Sequence, residues 1–84
     1  MEVWIVTINE VIDCSINVYS PKVFSTYEKA KKYFDGEVAE AKKDLPSGWT
    51  CDESKDYFEM YEDGYWIDNH SVISIDFAIL DESA

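Results

Sequence analysis

Between Ser25 and Leu45, the side chains of Tyr27, Ala30, Phe34, Val38, Ala41 and Leu45 recur at steps of three and four residues. That spacing draws one apolar stripe along a helix of roughly five turns. It is the clearest local signal in the chain. STYEKAKKYF opens it with a capping box, in which Ser25 takes a free amide and Glu28 reaches back. Lys31, Lys32, Glu40 and Lys43 fall on the outer face, and Pro46 and Gly48 in LPSG end the helix. Gly36 is a flaw inside it, costing about 1 kcal/mol relative to alanine, and a local bend is expected there. A single striped helix has to bury its stripe against another layer.

The flanking segments read as strands. Val3 to Glu10 is apolar on both faces, with Trp4, Val6 and Ile8 alternating with Val3 and Ile5, as in a central strand. Cys14 to Phe24 forms a second strand with Ile16 and Val18 on one parity. Pro21 has no amide proton for a ladder, so this strand lies at an edge or bends near SPK. After the helix, DYFEMYEDGYWIDN reads as two short strands around Asp63-Gly64, a strong two-residue hairpin signal. That register sets Glu62 opposite Tyr65, Tyr61 opposite Trp66, Met60 opposite Ile67, Glu59 opposite Asp68 and Phe58 opposite Asn69. A last strand, SVISIDFAIL, carries Ile73, Ile75, Phe77 and Ile79 on one face, with Ser74 and Asp76 outward, and DESA frays. The expected fold is α+β: about five antiparallel strands in one sheet with one helix packed on a face, order ββαβββ, as a single domain over residues 1–84.

Charge narrows the partners. The net charge is -11, yet 46% of the residues are hydrophobic, which argues against a disordered chain. From Met1 to Lys43 seven acids meet six lysines; from Asp44 to Ala84 eleven acids meet Lys55 alone, and there is no arginine. Such a sided field disfavours nucleic acid and anionic membrane as direct ligands, since both need clustered lysine or arginine. MEVWIVTINEV lacks a basic leader and is too short to span a bilayer, so a soluble cytoplasmic protein is expected.

Within DESKDYFEMYEDGYWIDN, carboxylates alternate with aromatic rings. Strand alternation puts Phe58, Met60 and Ile67 on a core face, and Tyr57, Glu59, Tyr61, Trp66 and Asp68 on a water-facing panel with His70 at its end. Like charges opposed across strands cost stability, which a basic partner repays or solvent screens. Tyrosine and tryptophan are rings that anchor interfaces. The panel therefore reads as a partner-binding surface: Glu53, Asp56, Glu59, Glu62, Asp63 and Asp68 would meet lysine or arginine, and Tyr57, Tyr61 and Trp66 would supply contact area. The bland reading is a charged sheet face that keeps the chain soluble.

Other chemistry is weaker. Cys14 and Cys51 lack metal-finger or CxxC spacing, and two thiols are expected unless the fold brings them together. A Cys51–His70 nucleophile needs an electropositive setting, the reverse of this half of the chain. Zinc on Cys14, Cys51 and His70 has too few soft ligands. Calcium would find carboxylates without an EF-hand loop, so no metal or cofactor is expected beyond weak adventitious binding. Glu59 and Asp68 as a general acid–base pair would stand on an open face that excludes no water. No enzyme is expected.

VFSTYEKAKKYF, a strand running through a capped turn into a helix, resembles a pattern common in small proteins of phages and mobile elements. Small size, acidity and exposed aromatics resemble phage-encoded inhibitors of host defence, including anti-CRISPR and DNA-mimic anti-restriction proteins. That resemblance implies an inhibitor acting in the host cytoplasm, which presents carboxylates and aromatics to a basic, nucleic-acid-binding surface of a partner protein. The alternative is a structural or assembly protein that self-associates, as in a homodimer, through its sheet face or through the edge strand near Pro21.

Overall fold

The computed structural model describes residues 1–64 and 69–79. Along the chain run β1 (Glu2–Ile12), β2 (Ser15–Val18), β3 (Lys22–Phe24), α1 (Tyr27–Lys43), β4 (Trp49–Ser54), β5 (Tyr57–Glu62) and β6 (His70–Ile79). The strands make one antiparallel sheet in the order β2-β1-β6-β5-β4, with β3 also pairing β1. The fold is α+β, as the single helical stripe requires.

β1 lies inside the sheet, paired on both edges, as its two apolar faces predict. β6 pairs one edge from Glu2↔Ile79 to Val11↔His70, and β2 and β3 share the other. The single strand expected from Cys14 to Phe24 is divided, with Tyr19, Ser20 and Pro21 lying between its two pieces. Proline has no proton to give a ladder, and there the pairing lapses.

The helix begins one residue later than the expected box. Thr26 is the N-cap, and its hydroxyl accepts from the Lys29 amide at 3.3 Å. Ser25 therefore lies outside the helix, and Glu28 occupies its second position, where the box requires the third. Ala30, Phe34 and Val38 are buried, while Leu45 lies past the helix end. α1 packs on β1, β3 and β6. Its stripe joins Val6, Phe58, Ile73 and Ile75 in one cluster, with Phe34 and Phe58 fully enclosed. β6 outruns this cover: Phe77 and Ile79 share the parity of Ile73 and Ile75 but are exposed, and Phe77 leans on Trp4 with ring centroids 5.4 Å apart.

Helix α1 is continuous through Gly36, where an added Cβ would meet nothing within 4 Å. Gly36→Ala should therefore raise stability by about 1 kcal/mol through propensity alone. A urea titration with an unchanged slope and a higher midpoint is the expected result; a lower midpoint would mean the position needs glycine.

Asp63-Gly64 does not close a two-residue hairpin. β5 pairs β6 with Tyr61↔His70, Glu59↔Val72, Phe58↔Ile73 and Tyr57↔Ser74. The Glu62 amide donates to the Asn69 carbonyl at 3.1 Å, so Glu62 pairs with Asn69 and not with Tyr65. Phe58 thus stands opposite Ile73, not Asn69, and Glu59 opposite Val72, not Asp68. The shift is four residues, an even number, so no β5 side chain changes face. Phe58 is buried and Met60 packs against the core, whereas Tyr57 is exposed. Tyr65, Trp66, Ile67 and Asp68 lie outside the described residues, as do residues 80–84 with the tail expected to fray.

The third strand after the helix is instead β4, which pairs β5 from Trp49↔Glu62 to Ser54↔Tyr57 around Lys55-Asp56. A second tight hairpin joins β1 to β2 through Asp13 and Cys14. Their φ values of 50° and 67° are the left-handed pair that a type I′ turn demands.

Candidate interaction face

The sheet registers divide the side chains into two faces. Trp4, Val6, Phe24, Phe58, Met60 and Ile73 look toward α1. Opposite them is a helix-free face whose composition changes from edge to edge. One row crosses it as Val18, Asn9, Val72, Glu59 and Asp52; the next crosses as Ile16, Val11, His70, Tyr61 and Thr50. The β2 edge is aliphatic, with Ile16 74% and Val18 72% exposed, and Val23 on neighbouring β3 58% exposed. The β4–β5 edge is acidic and phenolic, carrying Asp52, Tyr57, Glu59 and Tyr61. Four strand spacings, roughly 19 Å, separate the two ends. At the centre, Thr7 and Ser74 join hydroxyls at 2.9 Å across β1 and β6.

Only part of the expected panel gathers here. Tyr57, Glu59 and Tyr61 share the face, and the Tyr57 hydroxyl donates to Glu59 Oε2 at 2.9 Å. Glu53 lies on the other parity, where Lys42 of the helix holds it at 2.6 Å, a contact that raises the Lys42 pKa. Asp56 also belongs to the helix side and accepts from the Tyr27 hydroxyl at 2.7 Å. Glu62 accepts from Asn69 Nδ2 at 2.8 Å, while Asn69 Oδ1 takes the Asp13 amide of the β1–β2 turn, also at 2.8 Å. Asp63 accepts from the Thr50 hydroxyl. Trp66 and Asp68 fall outside the described residues.

The acid facing Glu59 across the strands is Asp52. Two carboxylates directly opposed across a ladder repel, so the tension expected of Glu59 and Asp68 exists with a different partner. Burial first, and then Glu59 and Asp52, raise the Tyr57 phenol above its ordinary range; burial and the acids Asp52, Asp63 and Glu59 do the same to Tyr61. Both remain protonated donors beside carboxylates at neutral pH.

The helix side has its own pH signature. The hydrogen bond to Asp56, followed by burial and nearby carboxylates, pushes the Tyr27 phenol up to about 12. An unfolded chain releases that proton near 10, so the folded state binds more protons between the two values. The contribution is fully present below pH about 10 and is lost as the pH rises through about 12. An alkaline titration followed by phenolate absorbance should show one tyrosine ionising late, and Asp56→Asn should bring that step earlier. An unchanged late step in Asp56→Asn would assign it elsewhere.

Cys14 in the β1–β2 turn and Cys51 in β4 are not joined by a disulfide. Among the described residues no three His, Cys, Asp or Glu side chains gather as metal ligands, and no helix is long and apolar enough to cross a membrane. No protein-family model, curated protein or solved structure matches the chain.

Proposed function

We propose that the protein is a non-enzymatic binding module that docks a partner protein through its helix-free sheet face. The observation that carries this reading is the Asp52–Glu59 pair, opposed across β4 and β5 and flanked by Tyr57 and Tyr61. A basic patch on a partner would relieve the repulsion, and the two rings would add contact area at low entropic cost. Ile16, Val18 and Val23 extend the demand: the partner surface has an apolar area next to its basic one. Where that basic surface normally holds nucleic acid, docking blocks it, and the protein acts as an inhibitor. An open face excludes no water, which favours binding over acid–base catalysis.

Affinity capture at low and high salt tests the charge-driven part. Proteins retained at low salt, released by salt, and missing when Asp52 and Glu59 are reversed together are the expected outcome. Capture that is indifferent to both salt and reversal would defeat the reading.

The aliphatic β2 edge favours a second reading, self-association. A two-fold contact between the Ile16 and Val18 ends of two copies would bury apolar surface and leave both acidic ends apart. Salt then acts in the opposite sense, strengthening a contact that like charge opposes, and sedimentation at two salt concentrations separates the readings.

A further inference from the structure

On the helix side lies a groove of about 590 Å³ between α1 and the sheet, remote from the docking face described above. That volume is typical of small-molecule sites. Val6, Met60 and Ile73 are part of its apolar floor. Glu37, Glu40 and Asp44 follow one border, and Glu10 of β1 adds a fourth carboxylate, against Lys22 as the single cation among the described lining residues. The first three are spaced by three and four residues, about 4.5 and 6 Å of helix rise.

A polar group inside the groove points the same way. Ser71 is only 4% exposed and is the one buried polar residue among those described. It lines the groove on the β6 parity otherwise filled by Ile73 and Ile75. Its hydroxyl makes no hydrogen bond among the described residues, yet it is not sealed off, so it opens on the groove. Water reaches that oxygen, and a donor or acceptor brought by a ligand would take the water's place.

We propose that this groove binds an aliphatic polyamine. Short methylene runs lie on the apolar floor, successive ammonium groups meet the carboxylates of the helix border, and an amine nitrogen reaches Ser71. The Tyr33 ring, also lining the groove, offers a face to a cation; burial and the neighbouring Glu37 carboxylate keep its phenol protonated. A bare metal ion fits less well, because it has nothing to place on the floor.

Spermidine is the probe, followed by calorimetry and by amide chemical shifts. One saturable site is expected, with shifts concentrated at Ser71, Tyr33 and Ala41. Glu37→Gln with Glu40→Gln should weaken it about tenfold. Glu2→Gln with Asp76→Asn removes as much charge at exposed positions outside both the groove and the docking residues and should leave affinity within about twofold. All four acids are replaced by close isosteres, and melts of both double variants verify the fold. Equal weakening by the two pairs, or displacement of spermidine by magnesium at equal charge, would reduce the effect to a counter-ion atmosphere and overturn the site. Absence of saturation would overturn it too. Tighter binding of a lysine-rich peptide than of spermidine would move the groove to a protein ligand and overturn the assignment.

Discussion

Phe58→Asp should leave no folded protein at room temperature, while Met60→Asp, two residues along on the same face of β5, should leave a weakened but cooperative fold. Phe58 is fully enclosed and sits between Glu53 of β4 and Ile73 of β6. Truncating a ring in such a place costs about 3–5 kcal/mol, and an unpaired carboxylate adds several more. Against a total of roughly 5–15 kcal/mol, with a chain this small near the lower end, nothing remains. Met60 is only half-buried and forms part of the groove floor, where a carboxylate turns to water. Far-UV circular dichroism with urea titration distinguishes the two. A cooperative Phe58→Asp transition with a urea midpoint close to the parent's would mean that the cluster around Phe34 holds without β5.

The contrast between these neighbours was open to sequence reading, because alternation fixes which β5 residues face the helix whatever strand lies beside them. Which strand that is depends on turn chemistry, and there the pattern misleads. Asp63-Gly64 carries the strongest hairpin signature, and Gly64 does adopt a positive φ of 82°, but Glu62 and Tyr61 pair with Asn69 and His70. The tight turns fall at Asp13-Cys14 and Lys55-Asp56, pairs with no glycine. WTCDES shows little alternation, so its sequence does not mark β4 as a strand or place Asp52 on a face. Local pattern puts Glu53 and Asp56 on the open panel, because their partners, Lys42 and Tyr27, are 11 and 29 residues away on the helix. Composition located the charge correctly in the second half of the chain, but only packing determines which acids the helix consumes. The helix itself was legible almost to the residue, since its cap and stripe are local.

Asp52→Lys and Glu59→Lys should each raise stability slightly while weakening capture of a basic partner, and the double variant should abolish capture. Each single change turns an opposed like-charge pair into an opposite pair, worth up to about 1 kcal/mol across a ladder. Each also moves the net charge of -11 two units toward zero, which relieves self-repulsion. The double variant opposes two lysines on an otherwise acidic chain, so its melting point should return toward the parent's. Stability and binding therefore move in different directions across the series, and no trend in folding can imitate the binding result. Ile16→Ser with Val18→Ser completes the comparison at the far edge: both side chains are mostly exposed, so the fold should be indifferent. Affinity for an apolar-and-basic partner should still fall, because that change removes the aliphatic contact and leaves the charge intact. Thermal melts beside capture at two salt concentrations read all four variants. If the double reversal keeps its partners, the acids serve only solubility; if the aliphatic pair alone matters, the face is a self-association surface and the charge sits beside it without a role in recognition.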